Sequence, residues 1–183
     1  NFSEDHEGKT LWLMNQDWHY HTFTPERLAK LDKMMCLCEW HKKYCIETMP
    51  TFPADKIMVT SNGLKPELIE EAEREGIVRD PYRIMFASSP DRGLANVIRA
   101  FACAREFEPR LSLHAFYGFN NLRKLTQHRG LQAEADICES LMKRVPNVHF
   151  HGRITQDQLY REWLKTGMWV YRTNFSETSC ITS

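Results

Sequence analysis

Short apolar runs of strand length alternate with stretches of helical period along the whole chain, and this rhythm restricts the fold more than any other feature. Thr10–Met14, Lys33–Cys38, Lys56–Thr60, Tyr82–Ala87, Leu111–Tyr117, Asn147–Phe150 and Met168–Tyr171 read as strands. Helical segments lie between them. Thr24 suits an N-cap and Pro25 a first helical position, which predicts a helix from Pro25 to Asp32. Another passes through Trp40, Tyr44 and Ile46, and a charged one covers Pro66–Glu75. Leu94, Val97, Ile98 and Phe101 recur at i, i+3, i+4 and i+7, one face of a helix. Cys138, Leu141, Met142 and Val145 mark a further face, and Leu159, Tyr160, Trp163 and Leu164 stripe another. Strand, helix, strand at this spacing implies parallel strands joined by right-handed crossovers, with helices on both sheet faces. The expected class is therefore α/β, built from Rossmann-like parallel sheets.

The Asn62-Gly63 turn and Pro66 punctuate the pattern and suggest a division into residues 1–64 and 65–183. The first piece is small for an independent core, so it is expected to belong to a larger sheet. Lys and Arg total 24 against 24 Asp and Glu, which argues against a nucleic-acid binder working through a basic surface. No apolar run approaches the ~20 residues of a bilayer span. The start, Asn1 to Glu7, lacks the charged end and apolar middle of a signal peptide. Six scattered cysteines, never spaced C-x-x-C, suggest reduced thiols and a cytoplasmic or membrane-peripheral protein. Cys36 and Cys38 alternate on one strand, as do His149 and His151, and neither pair carries further zinc ligands, so no metal is expected. The absence of G-x-G-x-x-G after a strand counts against a dinucleotide oxidoreductase. Trp18 to His21 form an aromatic loop read as solvent-exposed.

Four segments in order carry a family resemblance: Val59-Thr60-Ser61-Asn62-Gly63-Leu64, Ser88-Ser89-Pro90-Asp91-Arg92-Gly93-Leu94, Asn147-Val148-His149-Phe150-His151-Gly152-Arg153, and Val170 through Thr182. Together they resemble a retaining glycosyltransferase of the two-Rossmann-domain (GT-B) fold, group 1/family 4. In that family a strand ends in an Asn-Gly turn at the domain linker. A basic-Gly pair opens a later helix, a V-x-F-x-G strand follows, and an E-x7-E loop comes after it. Ala87 and Ser88 stand where such enzymes carry an upstream Arg, and Arg172 where they commonly carry Pro. Ser183 precedes the second Glu of E-x7-E. The resemblance implies a truncated central fragment, incomplete at both ends. Residues 1–64 would close the acceptor domain and residues 65–183 would form most of the nucleotide-sugar donor domain.

It also implies a chemistry. A nucleotide-diphosphate sugar donor would give up a hexose, with retention, to a glycan or lipid-linked acceptor, and no cofactor or metal would be needed. The leaving diphosphate gains negative charge, which side chains and backbone amides must meet. Arg92 at a helix start can fork to phosphate oxygens, and Gly93 permits close backbone approach. Thr178, Ser179, Cys180 and Ile181 begin a predicted helix whose N–H groups make a second anion site. Glu177 is the catalytic candidate, a carboxylate to hydrogen-bond the oxocarbenium-like sugar. The His151-Gly152-Arg153 backbone would edge the nucleotide base, and Tyr117-Gly118 would line the same cleft. Read without the resemblance, Arg92 serves equally as a solvated helix-start residue and Glu177 as a helix cap. A non-catalytic nucleotide-binding or assembly module on the same fold is the alternative function. The fragment alone is expected to be inactive, and open sheet edges could pair it into a homodimer.

Overall fold

Two all-parallel sheets with helices against them make up the computed structural model, which describes residues 10–15, 23–120, 123 and 132–173. The chain divides into two compact units between Leu64 and Lys65.

The first unit carries β1 (Trp12–Met14), β2 (Lys33–Cys36) and β3 (Ile57–Val59), in that spatial order. Leu13 pairs with Met34, and Met34 with Ile57. Helices α1 (Pro25–Leu28) and α2 (Glu39–Thr48) connect the strands, and a 3-10 turn spans Ala54–Lys56. Leu28, Leu31, Met34, Met49, Phe52 and Ile57 form the buried centre of this unit. Here α1 corrects the expected Pro25–Asp32 helix. It stops at Leu28 because Asp32 is held to β1 instead. The Asp32 N–H donates to the Leu11 carbonyl at 2.9 Å, and its carboxylate accepts from the Leu11 N–H at 2.7 Å. That clamp aligns β2 for pairing and ends the helical turn.

The second unit carries β4 (Asp80–Phe86), β5 (Ser112–Phe116), β6 (Val148–Gly152) and β7 (Thr166–Trp169), in the order β6-β5-β4-β7. Its helices are α3 (Pro66–Arg74), α4 (Leu94–Phe107), α5 (Gln132–Arg144) and α6 (Gln156–Lys165). Both faces of β4 are covered, as a parallel sheet requires. Ile84 and Phe86 join Leu94, Ile98 and Phe101 on one side, and Met85 and Ala87 meet Leu159 and Trp163 on the other. On the outside, the Arg161 guanidinium of α6 ties to Glu71 and Glu75 near α3.

Several strand limits differ from expectation: β2 stops at Cys36, β4 starts at Asp80 and β7 stops at Trp169, and two further shifts bear on the site. β6 continues two residues past Phe150, to Gly152. β7 begins at Thr166, not Met168. Gly167 explains the second shift: a Cβ there would sit 2.6 Å from the Asp80 carbonyl and from Pro81, so only glycine lets β7 lie this close to β4. Thr166 also donates its hydroxyl to the Glu162 carbonyl at 2.7 Å, anchoring the strand directly to the end of α6.

Candidate functional site

From β4 the chain steps outward through β5 to β6, then returns to the far side of β4 for β7, so the strand order reverses at β4. Open parallel sheets bind ligands at the carboxyl ends of strands near such a reversal.

The residues leaving β4 build the first wall. Pro90–Arg92 form a 3-10 turn in which the Arg92 N–H donates to the Ser89 carbonyl at 2.8 Å. Gly93 then starts α4 with φ of 102°, and its carbonyl accepts from the N–H groups of Asn96 and Val97, each at 3.1 Å. A Cβ at Gly93 would lie 1.9 Å from the Arg172 carbonyl oxygen. The chain leaving β7 thus crosses directly over the Arg92-Gly93 turn at Arg172. Arg92 is a partly buried cation here, with Nε 3.9 Å from the Asp91 carboxylate. An anion arriving at this turn would have to compete with Asp91.

Beside it, the ends of β5 and β6 enclose a hollow of about 500 Å³. Tyr117, Gly118 and Gly152 line it, all with left-handed backbones (φ 110°, 97° and 68°). The two strand ends stay joined at these turns, the Tyr117 N–H donating to the Gly152 carbonyl at 2.8 Å. Phe119 and Phe150 pack ring to ring at 4.8 Å along the floor. Asn120, Arg123 and Arg153 supply polar groups, and the Arg153 guanidinium stands 6.0 Å over the Tyr117 ring. An aromatic ring and the Arg153 guanidinium suit a flat, anionic ligand, while Arg123 is ion-paired with Glu139.

His151 lies elsewhere. Because β6 runs to Gly152, its imidazole stands on the sheet face, stacked on Phe116 at 4.6 Å and on His114 at 5.1 Å. His149 stacks on the same His114 ring at 4.7 Å. His114 and its partners were not legible as a group in the sequence. The network assigns its tautomer: Arg83 donates to Nε2 at 3.1 Å, so the proton sits on Nδ1 and is donated to His151 Nε2 at 2.9 Å. Glu162 of α6 pairs with Arg83 and accepts from Lys165. Burial, then the Arg83 charge, pushes the His114 imidazole down to about 4. Burial pushes the Glu162 carboxyl up, but Lys165 and Arg83 more than offset this, so it lies below the usual carboxylate range.

Gly152 and Arg153 are thus placed at the hollow, Arg92 and Gly93 at the exit of β4 against the chain leaving β7, and His151 on the sheet face. Glu177, Thr178, Ser179, Cys180 and Ile181 lie outside the described residues, as does the Trp18–His21 loop. Among the described residues, no helix is long and apolar enough to cross a membrane.

No protein-family model and no curated protein matches the chain. Solved structures do. Anabaena Alr3699/HepE, crystallised with UDP, is 14% identical over 92% of this chain, with a TM-score of 0.64. The UDP-forming α,α-trehalose-phosphate synthase of Burkholderia xenovorans is 13% identical over 90%, with a TM-score of 0.67. A variant of S. aureus TarM, crystallised with UDP among other ligands, is 13% identical over 99%, also with a TM-score of 0.67. The chain spans 48%, 47% and 35% of these proteins respectively. At such identities the likeness is one of fold: this chain has a GT-B-like architecture, incomplete relative to those longer proteins.

Proposed function

We propose that this chain is the central part of a retaining glycosyltransferase and that its second unit holds the nucleotide-diphosphate sugar. The observation that carries the reading is the contact of the Arg92-Gly93 turn with the Arg172 backbone at the carboxyl ends of β4 and β7. Three UDP-bound or UDP-forming proteins of the same fold, named as such, support the choice of ligand class.

In this reading Arg92 leaves Asp91 to fork onto the diphosphate, and the chain beyond Thr173 brings the Thr178–Ile181 amides to the same phosphates. Their combined positive potential stabilises the leaving group as the glycosidic bond breaks, with no metal in that role. Glu177 hydrogen-bonds the hexose and supports its developing positive charge. The hollow at Tyr117, Gly118, Gly152 and Arg153 takes the base and ribose. The acceptor, a glycan or lipid-linked sugar, is met by the domain that residues 1–64 complete. The edge strands of either sheet are available for pairing in a homodimer, and the protein works in the cytoplasm or at a membrane surface.

Calorimetric titration of UDP, GDP and ADP against the wild-type chain, Arg92→Ala and Arg92→Lys tests the site. Losing a charge-assisted fork costs about 1.5–3 kcal/mol, so Arg92→Ala should weaken the preferred nucleotide roughly tenfold to hundredfold. Arg92→Lys should recover only part of that affinity. Equal binding by all three proteins would remove Arg92 from the site. Release of nucleoside diphosphate from its sugar by the longer parent protein separates an enzyme from a pure nucleotide-binding module, which turns nothing over.

A further inference from the structure

We infer that Cys36, His41 and Cys45, closed by the Asn15 side chain, form a binding site for a thiophilic divalent cation, with zinc the best fit. This site lies wholly in the first unit and is independent of the donor reading.

Cys36 ends β2, whereas His41 and Cys45 are four residues apart on α2 and so project from one helix face. All three are fully buried, and their ligating atoms lie within 4.8 Å of one another. Asn15, just past β1 and also buried, reaches the group from a third element. The two sulfurs are 3.3 Å apart, the Asn15 amide is 3.2 Å from His41 Nε2, and it is 3.6 Å from Cys45 Sγ. Zinc binds sulfur at about 2.3 Å and nitrogen or oxygen at about 2.0–2.1 Å, so a tetrahedral site has edges of about 3.3–3.8 Å. The three separations already fall at or beside those edges. Which amide atom faces the cluster is an assignment, and turning the Asn15 amide over presents Oδ1 as a fourth donor.

Charge favours the same conclusion. Two thiols release their protons to solvent on binding, and two thiolates with a divalent cation make a neutral set that burial tolerates. These polar side chains meet inside a core of Met34, Met49, Phe52 and Ile57, an apolar surround that tolerates a neutral metal–thiolate set. Binding through Nε2 moves the ring proton of His41 to Nδ1. That step gives up the Leu37 N–H contact to Nδ1, at 3.3 Å, in exchange for coordinate bonds. Because the site is closed to solvent, the cation enters as the unit folds.

The test starts from the chain unfolded in urea with a phosphine reductant and a chelator, then refolded with Co²⁺ after the chelator is removed. One equivalent of cobalt should bind and give the near-ultraviolet sulfur-to-cobalt charge-transfer band and the visible bands of a tetrahedral site. One equivalent of Zn²⁺ should bleach both. Cys36→Ser and Cys45→Ser should each weaken the metal at least a hundredfold, whereas Cys103→Ser, at an exposed thiol, should leave the spectrum unchanged. Absence of the charge-transfer band in the refolded wild-type chain overturns the proposal, whatever the variants do. So does an unchanged spectrum in a Cys36→Ser/Cys45→Ser double variant, which would place the metal at other residues.

Discussion

Replacing Gly93 by alanine probes the contact on which the donor site rests. An L-residue forced to the Gly93 φ of 102° costs roughly 1–2 kcal/mol in backbone strain. The new methyl group would also stand 1.9 Å from the Arg172 carbonyl oxygen and 3.1 Å from its carbon. Both partners are main chain, so no side chain can rotate aside. Relief requires the exit of β7 or the start of α4 to move, at a further ~1–3 kcal/mol by the usual cost of overpacking. The total is about 2–5 kcal/mol, a large share of the ~5–15 kcal/mol that holds a typical domain together. Gly76 supplies the control. Its φ is also left-handed, at 64°, but a Cβ there meets nothing within 4 Å, so Gly76→Ala should cost only the strain, about 1–2 kcal/mol. Thermal melts followed by circular dichroism would read a loss of 3 kcal/mol as a shift of roughly 10 °C. Gly93→Ala should fall well below Gly76→Ala, and its nucleotide affinity should fall with it. Matching melting points for the two variants would refute the crossing of β7 over the Arg92-Gly93 turn.

Two further expectations concern the face of the second sheet. His114 is held down to about 4 by burial, the Arg83 cation, and the neighbouring His149 and His151, with Glu162 opposing them. Above the ordinary value near 6.5 the ring is neutral in folded and unfolded chains alike. As pH falls from there to 4, the unfolded chain takes up a proton that the folded one refuses, so stability declines by up to about 3 kcal/mol. Urea midpoints at pH 7 and 4.5 should show this, and His114→Gln should reduce the difference. Glu162→Gln leaves the half-buried Arg83 without its countercharge and should cost about 2 kcal/mol at pH 7 in the same denaturation, whereas Glu70→Gln, in an exposed pair with Arg74, should cost under ~1 kcal/mol.

Periodicity was enough to find the elements because most of them pack along one apolar stripe, as Leu94, Val97, Ile98 and Phe101 do against β4. It misplaced what depends on partners distant in sequence. Asp32 ends a helix by binding Leu11, and Gly167 draws β7 toward Asp80, and neither effect leaves a local period. The Arg92-Gly93 turn could be picked out from residue type and resemblance, but its meeting with Arg172 needed the β4–β7 pairing. Part of the hollow was legible, since Tyr117-Gly118 and Gly152-Arg153 were expected to line one cleft, whereas Phe119, Asn120, Arg123 and Phe150 were not. Tyr117 adopts a left-handed backbone that its residue type does not announce, and Arg123 reaches the hollow from beyond β5. The thiol–imidazole cluster left no mark in strand alternation, which pairs Cys36 with Cys38 and not with residues of the following helix. The H-x3-C spacing of His41 and Cys45 was the available signal, since residues four apart share a helix face.

The two sheets use the same position in opposite ways. In each, the carboxyl ends of parallel strands face the start of the following helix, where backbone N–H groups lack helical partners. In the first unit the chain satisfies that region from within. Cys38 caps α2 by accepting from the His41 N–H at 3.4 Å, and Asn15, Cys36 and Cys45 gather around the buried His41 ring. In the second, the turns at Tyr117, Gly118 and Gly152 end β5 and β6 around open space lined by Phe119, Phe150 and Arg153. A site filled by soft donor atoms of its own suits a small cation taken up on folding; an open one suits a bulky anion that must come and go. If the two roles are so divided, removing the cation should lower the melting temperature of the chain and leave the affinity of any still-folded second unit for nucleoside diphosphate unchanged. Loss of that affinity in step with the metal would instead mean that one ligand depends on the other.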